Sequence, residues 1–145
     1  IKGFKCSDSS YFENIEKANK LIKSNLFRPP YGLLKNSQFK KLKNKYKIIM
    51  WDVISCDYDS HLTVENCVSN VMDFVRDGSI ITFHDSYKAE KNVLAALPKV
   101  IELLKAQGYS FKRIEFDKTR PLYTANWIKN LLRMRESLNK RRHRA

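Results

Sequence analysis

His84 closes the apolar run Ser79-Ile80-Ile81-Thr82-Phe83 and is followed at once by Asp85. An imidazole titrates near neutral pH, so a histidine delivered at a strand end can give or take a proton. A second apolar run ends among carboxylates, Asp52, Asp57 and Asp59 in "WDVISCDYD". A carboxylate hydrogen-bonded to His84 would fix its tautomer and favour the protonated ring, and Asp57 is the one expected there. Aspartates at such places also serve as ordinary turn and cap residues. Arg28 opens "RPPYG". Its guanidinium is always charged and forks onto carboxylates. Pro29 and Pro30 have fixed φ, and a residue before proline is pushed out of the helical region. Arg28 is therefore expected on a stiff, extended segment that could orient a catalytic acid, and Gly32 allows the turn after it. Tyr31, Trp51 and Tyr58 carry flat faces of the kind that pack against sugar rings or fill cores.

These residues need elements to position them. "YFENIEKANKLIKS" places Ile15, Ala18, Leu21 and Ile22 on one face of a helix. "LFRPP" reads as a short strand ending in the rigid turn. "NSQFKKLKNKY" reads as a helix capped by Asn36 or Ser37, with Phe39 and Leu42 inward. Residues 46–52, "YKIIMWD", read as a buried parallel strand. A helix capped by Thr63 runs Val64, Cys67, Val68, Val71, Phe74 and Val75 inward and stops at Gly78. Residues 79–85 read as a strand, "EKNVLAALPKVIELLKAQG" as a long helix despite Pro98, and "YSFKRI" as one more strand. Alternating helix and strand predicts an α/β fold with parallel strands and outer helices. Such folds build their sites at the carboxyl ends of strands. Arg28, Asp52 to Asp59, and His84 with Asp85 all fall there.

The 145 residues make one domain or part of one, and 43% hydrophobic content supports a real core. No apolar run approaches the ~20 residues of a membrane span. The first residues lack a signal-peptide core and an initiator methionine, so the chain is read as starting within a longer protein. Three cysteines without a CxxC spacing argue against a disulfide framework or a structural zinc site. Of the net charge of +13, residues 117–145 contribute nine Lys and Arg against two acids.

Together "FRPPYG", "WDVISCDYD" and "GSIITFHDS" resemble the third, fourth and fifth motifs of the NodB-like polysaccharide deacetylases, which are metal-dependent carbohydrate esterases. Each motif alone is weak. Their order and spacing over roughly residues 12–114 make the resemblance specific. It implies an α/β fold of the distorted (β/α) barrel type, incomplete in this chain. The implied activity is hydrolysis of acetyl groups on a polysaccharide, such as the N-acetylglucosamine units of peptidoglycan or a chitin-like polymer. A divalent metal, usually zinc, would polarise the carbonyl and activate water. By position, Arg28 would hold the catalytic base, the Tyr31 backbone N–H would help form an oxyanion hole, and Asp57 would tune His84. His84 would protonate the leaving amine, and Trp51, Tyr58 and Thr82 would contact substrate.

The family's aspartate pair and histidine pair, which supply the base and the metal ligands, have no counterpart here. The chain is accordingly read as a fragment, inactive alone, whose metal ligands lie upstream. Tyr58 stands where the family often has tryptophan, Ile54 replaces a frequent acid, and Thr82 replaces a leucine that packs the acetyl methyl. The expected division is a deacetylase portion, residues 1–116, and a basic amphipathic tail, residues 117–145. In the tail Trp127, Ile128, Leu131, Met134 and Leu138 recur at helical spacing. The competing reading is a basic binding module that holds nucleic acid or anionic membrane through this tail. No nucleic-acid motif is present, so no specific nucleic-acid partner is expected, and the tail is left a weak anionic-surface contact. The resemblance points to a bacterial envelope or cytoplasm.

Overall fold

The computed structural model describes residues 3–114 and residue 136. The basic tail lies outside the described residues apart from Glu136. The chain divides into two compact units, one ending at Met50 and joined by Ile114, the other containing Trp51–Arg113.

The first unit is a β–α–β crossover preceded by a helix. Helix α1, Asp8–Ile22, starts where the Ser7 side chain accepts from the Ser10 N–H, and ends at Lys23 in the left-handed region. Strand β1, Leu26–Phe27, lies parallel to β2, Lys47–Ile48, in the register Leu26 to Lys47 and Phe27 to Ile48. Helix α2, Asn36–Leu42, connects them. Tyr11 and Ile15 of α1 pack with Leu42, Tyr46 and Ile48 into one cluster. Gly3 lies so close to Tyr11 that a Cβ there would sit 2.5 Å from the ring.

Two expected faces are corrected here. Leu21 and Ile22 are 86% and 70% exposed, and Ala18 is exposed as well. The last turns of α1 run past the described core, because strands of two residues offer too little surface to cover a 15-residue helix. In α2 the fully buried side chain is Gln38, while Phe39 is 43% exposed. The Gln38 amide donates to Gly3 O at 2.9 Å and to Asp8 Oδ1 at 3.1 Å, and its Oε1 accepts the Lys35 N–H at 3.0 Å. With both ends satisfied, burying an amide is inexpensive. Lys35, rather than Asn36 or Ser37, holds the N-cap position.

The second unit is another β–α–β crossover. Strand β3, Val53–Ile54, lies parallel to β4, Ile81–Thr82, with Val53 beside Ile81 and Ile54 beside Thr82. Helix α3, Val64–Met72, is capped by Thr63 as expected. Helix α4, Glu90–Ala106, contains Pro98 on its exposed side, and Leu94, whose carbonyl that proline cannot bond, is 70% exposed. Val53, Val71, Val100 and Leu104 form one buried cluster, and Cys56, Leu62, Cys67 and Ala96 a second.

Three further expectations change. The run 46–52 is not one strand: only Lys47–Ile48 within it is a strand, β2, which pairs with β1, while β3 starts just beyond it at Val53 and pairs with β4. Helix α3 ends at Met72 rather than at Gly78, whose φ of +76° serves a later turn. Residues 109–114 form no strand. The Tyr109 N–H turns back to Leu104 O at 3.0 Å, closing α4, instead of entering a ladder.

Candidate active site

The second unit assembles the histidine and its carboxylate. Strand β4 ends at Thr82, and two residues later His84 leaves the sheet. Beyond β3 the chain turns sharply at Cys56, whose φ is +59°. A non-glycine residue in the left-handed region is uncommon and is held there by its surroundings. The turn aims Asp57 back at His84. The His84 backbone N–H donates to Asp57 Oδ2 at 2.8 Å, and His84 Nδ1 lies 2.7 Å from Oδ1. With the carboxylate ionised, Nδ1 carries the proton and Nε2 is left for chemistry. Asp57 is fully buried, whereas the His84 side chain is 35% exposed. The ring is thus reachable and its anchor is not. Tyr58 packs edge-on against the imidazole, with centroids 4.8 Å apart and planes at 81°.

Residues that sequence reasoning missed hold this pair. Ser55 Oγ donates to Asp57 Oδ1 at 2.8 Å, and the Ser55 N–H donates to Thr82 O at 3.1 Å, fastening the two strand ends. Asn70 Nδ2 of α3 donates to Ser55 O at 2.9 Å. Asn92 Nδ2 of α4 faces the carbonyls of Asp57, Asp59 and Leu62 at 3.1, 3.4 and 3.3 Å. Two asparagines on otherwise apolar helix faces were the available signal. Burial, aided by the nearby Asp57, pushes the Cys67 thiol up to about 12, so it is inert packing.

The remaining expected residues are placed as follows. Thr82 is buried in β4, and its carbonyl receives Ser55. Trp51 precedes β3 and so lies at the opposite strand end from His84. Beside it Asp52 takes a structural role: its carboxylate accepts from Ile80 N at 2.8 Å and Ser79 Oγ at 3.1 Å and pairs with Arg76 at 3.0 Å. Asp59 accepts the exposed His61's N–H at 3.1 Å. Arg28 and Tyr31 belong to the first unit. Arg28 borders an apolar cavity of about 420 Å³ lined by Ile15, Phe27 and Tyr46 among others. Tyr31 sits in the turn Pro30–Gly32 with a φ of +60° and is 68% exposed.

No group of three or more potential metal ligands exists among the described residues. His84 Nδ1 and both Asp57 oxygens are already engaged, as are those of Asp52. The described residues do not fit a metal centre.

No protein-family model matches the chain. A peptidoglycan-N-acetylglucosamine deacetylase of Bacillus cereus is 34% identical over 88 residues, 59% of this chain and 41% of that one. A bifunctional xylanase/deacetylase of Pseudobutyrivibrio xylanivorans is 32% identical over 85 residues, 59% of this chain and 14% of that one. The Xyl-CE4 domain of a multidomain xylanase from the hindgut metagenome of Trinervitermes trinervoides superposes with a TM-score of 0.69 at 29% identity, covering 77% of this chain and 56% of that one. The chain spans less than half the length of these curated relatives and a little over half of that solved domain. In sequence and in fold it is a relative of the NodB-like polysaccharide deacetylases, a family of enzymes, and it matches part of their (β/α) barrel. The incomplete α/β barrel expected from the motifs is therefore borne out.

Proposed function

We propose that this chain supplies the general-acid part of a polysaccharide deacetylase acting on N-acetylglucosamine-containing polymers. The observation that carries the reading is the Asp57–His84 pair, closed by two hydrogen bonds of 2.8 and 2.7 Å at a strand end. Asp57 holds the Nδ1 proton and stabilises the imidazolium. Nε2–H gives its proton to the amine nitrogen as the carbon–nitrogen bond breaks, and acetate leaves from the other side. Tyr58 limits the ring's rotation. On this reading Arg28 orients a carboxylate base and the Tyr31 turn presents a backbone N–H to the developing oxyanion. The left-handed Tyr31 is the kind of strained residue that such sites retain.

The divalent metal implied by the family would polarise the acetyl carbonyl and activate water. Its ligands and the base come from outside the described residues, and those residues alone are inactive. The test is a chimera in which this chain replaces the matching part of the Bacillus cereus relative, assayed for acetate release from N-acetylglucosamine polymers. Activity that falls about 10²-fold or more in His84→Ala is expected. A chimera whose activity ignores His84→Ala would refute the assignment.

A further inference from the structure

The Ser55 hydroxyl has one hydrogen and two acceptors within reach. Its Oγ lies 2.8 Å from Asp57 Oδ1 and 3.1 Å from Thr82 O, and it accepts the Asp57 N–H at 3.3 Å. A hydroxyl donates once, so Ser55 serves one of these acceptors at a time. Neither choice strands a buried group. When Ser55 turns away, Asp57 Oδ1 keeps the His84 Nδ1 proton at 2.7 Å. When it turns to Asp57, Thr82 O keeps the Ser55 backbone N–H at 3.1 Å. Both orientations leave every buried oxygen with a partner, so the turn between them is inexpensive. The rest of Ser55 is fixed: its N–H is held by Thr82 O, and its carbonyl accepts Asn70 Nδ2 at 2.9 Å. Ser55 and Asp57 are both fully buried, so bulk water does not compete for either.

The charge on His84 decides between the two orientations. Beside a neutral ring Asp57 is a buried carboxylate opposed only by dipoles, and a donor on Oδ1 then stabilises it most. Beside an imidazolium 2.7 Å away part of that charge is cancelled, and the same donor matters less. Ser55 thus favours the neutral ring over the charged one, against the pull of Asp57 itself. A general acid needs this balance: a ring gripped by an otherwise unopposed carboxylate holds its proton too firmly to pass it on.

We infer that Ser55 is a positioning residue whose hydroxyl turns from Thr82 O to Asp57 Oδ1 as His84 gives up its proton, and so eases that transfer. This rests on the general-acid reading of His84 and adds to it a second residue acting through Asp57. The other titratable groups around the pair are Tyr58 against the ring, Asp85 next along the chain, Asp59 and His61 in the turn beyond Asp57, and Cys56 with Cys67 of α3. Helices α3 and α4 otherwise present the neutral amides Asn70 and Asn92. A substitution at Ser55 leaves all of these in place, so the difference from wild type isolates the hydroxyl.

The test is a titration of the His84 ring by nitrogen-15 and proton NMR in the 145-residue chain. Ser55→Ala should move the ring's midpoint to higher pH than in wild type by about half a unit or more, with the neutral ring still protonated on Nδ1. A residue that merely braced Asp57 gives the opposite sign, because its removal loosens the ion pair and the midpoint falls. Asn70→Ala frees the Ser55 carbonyl but spares the hydroxyl, and should give no upward shift. Ser55→Cys, a weaker donor of similar shape, should shift upward by less, and it decides the matter if Ser55→Ala folds poorly. In the chimera, Ser55→Ala should carry the alkaline limb of acetate release to higher pH and leave the acid limb in place. A midpoint that falls or stays put in the Ser55 variants, an equal upward shift in Asn70→Ala, or an unmoved alkaline limb would each overturn the inference. The ring titration requires no turnover, so its outcome is independent of what His84→Ala does to the chimera, and the two readings fail separately.

Discussion

Replacing Asp57 by asparagine probes the candidate site with almost no change in shape. Three donors converge on this buried carboxylate: His84 N on Oδ2, and His84 Nδ1 and Ser55 Oγ on Oδ1. An asparagine offers one oxygen and one NH₂ group. The backbone N–H of His84 cannot become an acceptor, so the amide oxygen must turn to it and the NH₂ must face Nδ1 and Ser55. Ser55 can rotate to accept. The imidazole can accept only by moving its proton to Nε2. The variant therefore loses one charge-assisted hydrogen bond, worth about 1.5–3 kcal/mol, and keeps neutral replacements for the rest. A loss of about 2–3 kcal/mol in folding stability is expected, or roughly 8–15 °C in the unfolding midpoint. The assays are denaturant unfolding and nitrogen-15 chemical shifts of the His84 ring. Wild type should show an Nδ1-protonated ring, and Asp57→Asn an Nε2-protonated one. Unchanged stability together with an unchanged ring signature would refute the geometry.

Other outcomes follow from the same packing. Asn92→Ala leaves the carbonyls of Asp57, Asp59 and Leu62 without their shared donor, so it should cost about 1–3 kcal/mol and speed amide exchange in residues 57–62, read by mass spectrometry. Leu104→Ala, at a position 1% exposed, should cost about 2–5 kcal/mol, while Leu94→Ala on the same helix, 70% exposed, should cost almost nothing in denaturant titrations. Cys67 should resist a thiol reagent in the native state and react on unfolding, with partly exposed Cys6 reacting first. Its thiol is raised by burial from the ordinary 9.0 to about 12, so its stabilising contribution is complete below pH 9 and is lost as pH climbs from about 9 to 12. Buried Tyr11 shifts in the same direction, and unfolding midpoints measured across that window should fall.

Much of the site was legible because strand ends in α/β folds carry chemistry and because His84 and Asp57 sit at two such ends. Hydrophobic periodicity located the four α-helices of the described residues but misjudged which faces are covered. Leu21 and Ile22 look like core in a helical projection, yet a projection does not reveal how little sheet lies beneath them. Gln38 was invisible for the opposite reason: polarity argues for the surface unless its three hydrogen-bond partners are known. That strand pairing within "YKIIMWD" stops at Ile48 and resumes in another sheet only at Val53 could not be read from an apolar run, since pairing partners lie far along the chain. The left-handed turn at Cys56 carries no composition signal at all, and it is what brings Asp57 to His84.

The central claim is that His84 is an acid held by Asp57 rather than a metal ligand. The most direct measurement is the nitrogen-15 and proton spectrum of the His84 ring in the 145-residue chain, with and without one equivalent of zinc. A ring protonated on Nδ1, unmoved by zinc that washes away on desalting, is the expected result. Tightly retained zinc that shifts the His84 nitrogens would place the ring in a metal centre and contradict the assignment.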